Sequence, residues 1–432
     1  MKMIKSSLKW IIPISSVAVI GVVSAITIVS LNRKFDIPDK YCLNEVNRTY
    51  NNKKVEVSDD YRNAIKNFAT NYAKNITNNN PKNEIFSPLS IVTCYSMLLE
   101  GTNGDTYNEL RNALGFNESI DIKSETQKML NNTFIKTEQT QLNVNQSIWL
   151  DNEYAKNIKE DYLDKLTNYY YAEAYQDDLK SDNAKDLLAK YINSKTNNLM
   201  KIKKEDFRGY EGIMWLVNTI YMKSKWQAEF YETQSDFKNI YGTTNTKDFI
   251  ATRVNYSGVY QSENSTTFST SFQHGLQANF MIPNSVDDNF ENFVKDDTTW
   301  NDLFNYKKLK YEAYTVNFKM PKLSVKSSYD LKEELRNMGV TKIFDEDNAD
   351  LTGIIEFNDM SNFYVSNSMH KAAIDFNKDG VEAAAVTIIE GAKSTGIDGT
   401  TNEFDFFLDQ PFIYSITDAN DIPLFVGIVT NV

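Results

Sequence analysis

The 432-residue sequence predicts an α+β protein, with one large domain behind an N-terminal membrane segment. An uncharged stretch comes first along the chain, segments with helical periodicity follow, and most later apolar segments have the length and composition of strands. Helices followed by strands are typical of α+β domains. Apolar residues make up 41 % and charged residues 24 % of the chain, the balance of a folded globular protein.

The first element is a hydrophobic N-terminal segment. Residues 10–31 carry no charge, and a helix of this length spans about 33 Å, enough to cross a bilayer core. Lysines precede it and Arg33 and Lys34 follow it, so the charge bias toward an inside N-terminus is slight. We expect an uncleaved signal anchor, with residues 1–9 cytoplasmic and residues 32–57 a polar tether to an outside domain. A cleaved signal peptide is the alternative, and either places the domain at the cell surface or in the medium.

Two helices open the folded body, which we place at residues 58–432. Ser58, followed by two acids, is a typical N-cap, and apolar residues recur behind it at helical spacing. A second helix begins at Ser87-Pro88, because serine caps well and proline lacks only an amide that would be unpaired there anyway. Residues 91–99 are apolar almost all round, so we expect this helix to be buried.

Strands dominate the rest of the body. Residues 213–222 are apolar and partly β-branched, as in a strand buried on both faces. Residues 314–323 and 363–376 alternate in polarity, and residues 411–417 and 424–429 have the composition of two further strands. No internal repeat or long low-complexity linker interrupts the body, which favours a single domain.

Composition excludes several classes of function. The formal net charge of −12 argues against nucleic-acid binding, which needs a basic face. Cys42 and Cys94 are too few for a disulfide scaffold or a cysteine-based zinc site. We expect Cys94 to be buried, whereas Cys42 is either free or paired between chains. With two histidines and no common catalytic or nucleotide-binding motif, we expect neither an enzyme nor a cofactor nor a metal.

Five segments resemble the serpin family, in the family's order. They are 83–106 (NEIFSPLSIVTCYSMLLEGTNGDT), 216–237, 320–354, 369–387 (MHKAAIDFNKDGVEAAAVT) and 410–432. The resemblance covers about residues 59–432 and implies three β-sheets, eight to nine helices and an exposed reactive loop at about residues 380–402. It also implies suicide inhibition: a protease cuts the loop, the freed stretch inserts into the largest sheet as a new strand, and the trapped acyl-enzyme is distorted.

The loop has the alternation that an inserted strand needs. The resemblance makes its first part the hinge, namely Gly380, Val381, Glu382, Ala383, Ala384, Ala385, Val386 and Thr387. The odd-numbered positions from Val381 are uncharged and mostly small, whereas the even-numbered positions hold two acids, Glu382 and Glu390. A strand of about 14 residues spans roughly 46 Å and gains on the order of ten kcal/mol in hydrogen bonds, so we expect the uncut chain to be metastable.

Two bonds are candidates for cleavage. The family's usual spacing after the hinge glycine gives Ser394–Thr395, whereas side-chain chemistry favours Lys393–Ser394, because lysine fits a trypsin-like specificity pocket. We favour cleavage after Lys393. The resemblance implies a serine-type protease as the partner, trypsin-like if this choice holds, with a cysteine-type protease as the alternative. The other expected partner is the membrane, through the N-terminal helix, and we expect a monomer.

The resemblance also implies which residues control insertion. A hydrogen-bonded cluster beneath the sheet would consist of Ser87, Ser90, Asn218 and His370. Lys223 and Trp226 match the region where the loop first enters the sheet, and Lys378 stands where the family usually has glutamate. A non-inhibitory serpin that acts as a binding, carrier or adhesion module is the alternative function. A charge at position 381 or 383 would have favoured that alternative, and neither position is charged.

Overall fold

The computed structural model describes residues 37–48, 54–77, 81–210, 212–285, 289–356, 363–381 and 402–432. The chain divides into two units, Met1–Ile37 and Pro38–Val432. Within the described ranges, no helix is both long and apolar enough to cross a membrane. The predicted anchor at residues 10–31 lies outside these ranges, as do the loop residues 382–401, which include both candidate cleavage sites.

Ten α-helices occur in the described ranges. They are α1 (Asp59–Thr77), α2 (Pro88–Leu99), α3 (Gly104–Ala113), α4 (Ile122–Asn132), α5 (Asn152–Ala155), α6 (Glu160–Lys165), α7 (Asp182–Lys195), α8 (Phe290–Lys295), α9 (Asp297–Phe304) and α10 (Leu331–Asn337). The predicted helix starts are confirmed. The Ser58 hydroxyl accepts from the Tyr61 amide at 3.3 Å, and the Ser87 hydroxyl accepts from the Ser90 amide at 3.2 Å. Every residue of α2 is buried.

Sixteen strands complete the described part of the chain. They are β1 (Glu84–Phe86), β2 (Ile135–Lys136), β3 (Thr140–Asp151), β4 (Glu173–Asp177), β5 (Met214–Lys225), β6 (Tyr231–Lys238), β7 (Thr244–Gln261), β8 (Ser265–Ser271), β9 (Gln277–Pro283), β10 (Lys310–Pro321), β11 (Leu323–Asp330), β12 (Asn367–Asn377), β13 (Gly380–Val381), β14 (Glu403–Phe407), β15 (Phe412–Thr417) and β16 (Pro423–Val429). The five segments predicted as strands correspond to β5, β10, β12, β15 and β16.

Hydrogen bonding joins the described strands into two sheets. The seven-stranded sheet has the order β11-β12-β13-β5-β3-β2, with β4 beside β3 and a direct pairing of β12 with β5. The nine-stranded sheet has the order β1-β16-β15-β9-β8-β7-β10-β14, with β6 beside β7. Helix α2 packs against β16 of the larger sheet and against β3 and β5 of the smaller one, so the core lies around α2, between the sheets.

The predicted α+β class is confirmed, and among the described residues only the counts differ from the three sheets and eight to nine helices that the resemblance implied. The third sheet is continuous with the second because β7 is 18 residues long, pairing with β6 near its start and with β8 at its end. Strand β10 follows β7 along most of its length. The ten described helices include two short ones in the connection between β3 and β4, α5 with four residues and α6 with six.

Part of the segment predicted as a polar tether contacts the folded body. Residues 38–48 lie along β4, where the Leu43 amide donates to the Ala174 carbonyl at 2.8 Å. Cys42, in this segment, is half-buried. Cys94 is buried as predicted, and burial raises the pKa of its thiol to about 12. Local polarity predicted a free tether, but the segment finds partners on the body that are distant in sequence.

Candidate functional site

The central feature of the seven-stranded sheet is the parallel pair β5 and β12. The two strands are paired from Trp215 with Asn367 to Thr219 with Lys371. Both strands continue past these last partners, to Lys225 and Asn377, but their described residues no longer pair with each other there. The two strands are thus separated toward one end of the sheet. We call the space between them the slot.

Gly380 and Val381 lie in the mouth of the slot as β13. This short strand is antiparallel to both neighbours, with Gly380 opposite Asn377 and Lys225 and Val381 opposite Phe376 and Ser224. Val381 is buried in the main core. Gly380 has φ +141°, and a Cβ there would lie 2.0 Å from the Ser224 carbonyl oxygen. Only glycine fits between the two strands at this point. The hinge residues after Val381 lie outside the described residues.

A two-residue turn, Lys378-Asp379, leads from β12 into β13. The Asp379 amide donates to the Asn377 side chain at 2.9 Å, which fixes the turn. Lys378 is exposed. The pKa of Glu232 is lowered first by its ion pair with Lys322, at 2.9 Å, and further by the charge of Lys378. The lysine that stands in place of the family's usual glutamate thus helps to lower the pKa of a carboxyl group on β6.

Trp226 packs at the end of β12, next to this turn. Its ring stacks on Phe272, with centroids 4.1 Å apart, and on Phe376, with centroids 6.0 Å apart. Its indole N–H donates to the Asn377 carbonyl at 2.9 Å. The tryptophan therefore positions the residues where the chain turns back into the slot. Lys223, the other residue predicted in this region, is half-buried on β5.

The four residues of the predicted cluster are hydrogen-bonded to one another where β5 and β12 pair. Asn218 and His370 are opposite each other in the sheet. The Nε2 atom of His370 accepts from the Ser87 amide at 2.9 Å, so Nδ1 carries the proton and donates to Asn218 Oδ1 at 3.3 Å. The Asn218 amide group donates to the Ser90 carbonyl at 2.5 Å, and its oxygen accepts from the Ser90 hydroxyl. The cluster ties both central strands to α2.

The cluster contains no ionised group at neutral pH. All four side chains are buried, and burial lowers the pKa of His370 to about 3. A neutral imidazole with both nitrogens hydrogen-bonded can hold two strands in place, but it has no spare nitrogen for general acid–base chemistry. The geometry is that of a structural cluster that holds the two strands together. A role for these residues in controlling loop insertion stays a prediction.

Sequence analysis missed two tyrosines, one that stacks on the cluster and one that bonds β12 two residues before His370. Tyr329 of β11 is opposite His370 and stacks on its ring, with centroids 6.1 Å apart and planes 14° apart. The Tyr329 hydroxyl donates to the buried carboxylate of Glu84 at 2.5 Å. Tyr95 of α2 donates to the Ser368 hydroxyl at 2.6 Å. No local pattern marks these residues, because strand register and helix packing bring them together.

Within the described residues, the slot and the cluster coincide neither with a metal-binding group nor with the pocket at α1, α3 and α10. In the described ranges, no group of three or more histidine, cysteine, aspartate or glutamate side chains is placed to hold a metal ion. A pocket of about 590 Å³ lies between α1, α3 and the C-terminal end of α10, and four asparagines contribute to its lining. None of its lining residues belongs to the slot or the cluster.

The site is thus a space between two central strands, which the short strand β13 enters, next to an uncharged buried cluster. In a comparison with known families, residues 63–432 match the family described as "Serpin (serine protease inhibitor)". The chain therefore belongs to the serpin family. Known members named as protease inhibitors place it with inhibitors and not with enzymes.

Two curated relatives illustrate this similarity. An alpha-1-antitrypsin-like protein of Tamias sibiricus is 28 % identical over 367 residues, covering 82 % of this chain and 84 % of the relative. A serine proteinase inhibitor of Cavia porcellus is 28 % identical over 362 residues, covering 81 % of this chain and 83 % of the relative. Both alignments cover most of each chain, so the likeness extends over most of the folded body.

Two solved structures show the same fold. The thermophilic serpin tengpin in its native state has a TM-score of 0.75 at 21 % identity, covering 90 % of this chain and 98 % of that one. Thyroxine-binding globulin in complex with thyroxine has a TM-score of 0.72 at 24 % identity, covering 86 % and 98 %. At these identities the structures support the fold alone. One is described as a complex with a small ligand, so the fold by itself does not define an inhibitor.

Proposed function

We propose that this protein inhibits serine-type proteases by inserting its cleaved loop into the seven-stranded sheet. The observation that carries the proposal is the slot, where β5 and β12 are paired at one end and separated at the other. The first two residues of the hinge already lie in its mouth as β13. Membership of a family described as serine protease inhibitors supports the same activity.

The pairing of β13 gives a register for the inserted strand. Each further loop residue moves one position back along both neighbours, because β13 is antiparallel to each. In this register Ala383 would lie between Met222 and Ile374, Ala385 between Ile220 and Ala372, and Thr387 between Asn218 and His370. The first residues of β5 and β12, Met214 and Asn367, correspond in this register to Gly391 and Glu390 of the loop. Lys393 therefore lies two residues beyond the stretch that the sheet can pair.

Val381 indicates which face of the inserted strand is buried. Directly paired residues point to the same side of a sheet, and Val381 lies in the core together with its partner Phe376. By alternation, the uncharged odd-numbered positions face α2, while Glu382 and Glu390 face outward. The small apolar residues thus meet the core, and no acid is buried against it.

The same register gives the cluster a role in the energetics. Thr387 must pass between Asn218 and His370, so full insertion breaks their hydrogen bond and the five residue pairs that join β5 to β12. About ten loop residues then pair with both β5 and β12. Their new hydrogen bonds contribute on the order of ten kcal/mol, which offsets this loss. The closed end of the slot is therefore the barrier that keeps the uncut chain metastable.

The specificity and location of the inhibitor are part of the proposal. Cleavage after Lys393 suits a trypsin-like protease, and Ser394–Thr395 is the second candidate bond. The uncharged segment at residues 10–31 would anchor the serpin domain on the outer face of a membrane, and a cleaved signal peptide would release it. In either case the target is a protease met outside the cell.

The test is to mix the full chain, in detergent, separately with trypsin, elastase and subtilisin and to analyse the products by denaturing gel and mass spectrometry. We expect a stable covalent adduct with trypsin and a released C-terminal peptide that begins at Ser394. Clean cleavage without an adduct by all three proteases would contradict inhibition of serine proteases and would favour the non-inhibitory binding or carrier function.

A matched pair of variants tests the insertion step. Ala383→Arg places a charge on the face that meets the core, between Met222 and Ile374, whereas Glu382→Arg places the same side chain on the outward face. We expect Ala383→Arg to be cleaved as a substrate with little adduct, and Glu382→Arg to retain most of it. Equal adduct from both variants would contradict the register.

A further inference from the structure

Residues 38–48, here called the strap, run along the outer edge of the seven-stranded sheet. Strand β4 is an edge strand, paired on its inner side with β3. On its outer side the Leu43 amide donates to the Ala174 carbonyl at 2.8 Å, and Cys42 forms an isolated antiparallel bridge with Tyr175. The strap thus occupies backbone groups that an edge strand otherwise presents to solvent or to another chain.

The side chain of Asn44 pairs with β4 as a backbone would. Its amide nitrogen donates to the Ala172 carbonyl at 2.9 Å, and its oxygen accepts from the Ala174 amide at 2.8 Å. The same nitrogen donates to the Thr167 hydroxyl at 2.9 Å. A carboxamide supplies both the donor and the acceptor that this edge requires, whereas an ionised carboxylate could not donate. The carboxamide of Asn44 therefore satisfies three polar groups at this point, namely the Ala172 carbonyl, the Ala174 amide and the Thr167 hydroxyl.

Arg48, at the C-terminal end of the strap, lies among two aromatic rings and several oxygen acceptors. The centre of its guanidinium lies 4.3 Å from the ring centroid of Phe134 and 5.0 Å from that of Tyr171. Its terminal nitrogens donate to the Leu130 carbonyl and, at 3.4 Å each, to the Val144 carbonyl and the Asn143 side chain. Aromatic faces and carbonyl oxygens bind a cation without adding charge. Burial lowers the pKa of Arg48 to about 9, so the side chain remains a cation at neutral pH.

Arg48 contacts both a helix and a strand. Leu130 belongs to α4, whereas Asn143 and Val144 belong to β3, so the guanidinium bridges a helix and a strand. Helix α4 is tied in turn to α1 by a 2.8 Å hydrogen bond between Thr126 and Tyr61. The strap therefore links the outer strands of the sheet to the helical layer.

We propose that this edge of the sheet is a peptide-binding groove, and that the strap is its resident ligand. The class of ligand is an extended peptide with an asparagine four residues before an arginine. Because the bound strap connects β4 and β3 to α4, it restrains the half of the sheet, β3 to β5, that must move aside when the loop inserts. This restraint rests on the proposed function, whereas the binding itself does not.

The binding is tested on the full chain, folded first and cut afterwards. A protease recognition sequence inserted between Asn51 and Asn52, with an affinity tag at the N-terminus, separates the strap from the body. We expect the body to stay with the tagged fragment after cutting. Arg48→Ala and Asn44→Ala should each release the body at least about tenfold faster. Glu45→Ala, which removes an exposed carboxylate that accepts from Asn47 within the strap, should not.

Immediate release of the body from the unsubstituted cut chain would overturn the groove, and so would equal retention by Arg48→Ala and Glu45→Ala. Neither readout involves a target protease, so both remain valid tests whatever protease the protein inhibits.

The restraint is tested by warming uncut chains and following their conversion to a more heat-stable form. We expect Arg48→Ala to convert several-fold faster and a synthetic peptide of residues 37–48 to restore the slower rate. An unchanged rate would overturn the restraint.

Discussion

The substitution Gly380→Ala tests the slot at the residue where the loop enters the sheet. An added Cβ would lie 2.0 Å from the Ser224 carbonyl oxygen and 2.9 Å from the Lys225 Cα. Both atoms belong to the backbone of β5, so a side-chain rotation cannot relieve the contact. The φ angle of +141° is also one that residues with a side chain rarely adopt.

The expected magnitude follows from these contacts. Either β13 or β5 must shift by roughly 1 Å to restore an ordinary separation, and a non-glycine residue in such a backbone region costs about 1–3 kcal/mol. If this cost falls on the insertion step, insertion slows by about 5- to 150-fold. The acyl-enzyme is then hydrolysed more often before it is trapped, and the ratio of cleaved to trapped inhibitor should rise by the same factor.

The assay is a titration of trypsin with each variant, with the cleaved and covalently bound forms counted on a denaturing gel. Gly242→Ala is the matched control, because Gly242 also has a positive φ, of +79°, but an added Cβ there meets nothing within 4 Å. An equal ratio of cleaved to trapped inhibitor in the two variants would refute the claim that β13 marks the path of insertion.

Three further outcomes are expected. Asn218→Ala removes three hydrogen bonds of the buried cluster and should lower the free energy of unfolding by about 2–4 kcal/mol in denaturant titrations. In the unfolded chain His370 takes up a proton below about pH 6.5, whereas in the folded protein the buried side chain does so only near pH 3. Acidification from about pH 7 to 4.5 should therefore lower the free energy of unfolding by about 2.5 kcal/mol. The variant His370→Gln should not show this loss. Trp226→Ala should lower the free energy of unfolding by about 3–5 kcal/mol, and Trp226→Phe should lower it clearly less. Equal losses of unfolding free energy in the two variants would contradict the stacking.

Local chemistry in the sequence was sufficient for much of the fold. Serine caps at positions 58 and 87 set the starts of α1 and α2, because a cap depends only on the next few residues. The apolar run in α2 predicted a helix buried on every side, and it is. The alternation around residues 363–376 predicted β12, although the strand begins only at Asn367.

Within the candidate site, the resemblance supplied the identities of Ser87, Ser90, Asn218 and His370, and the structure shows that they are hydrogen-bonded together. No pattern along the chain indicated Tyr329, because its place opposite His370 depends on which strands pair and in which register. Register is a property of two distant segments together, and polarity along one segment does not encode it.

The sequence by itself determined the class of protein, the order of its elements and the uncharged face of the hinge, because these depend on residue type and spacing along the chain. Only the tertiary structure decided where β5 and β12 separate, that Gly380 and Val381 lie between them, and that Arg48 and Asn44 attach a polar segment to the edge of the sheet. Those features arise from contacts between residues far apart in the chain, and such contacts form only once the core has fixed the strands in space.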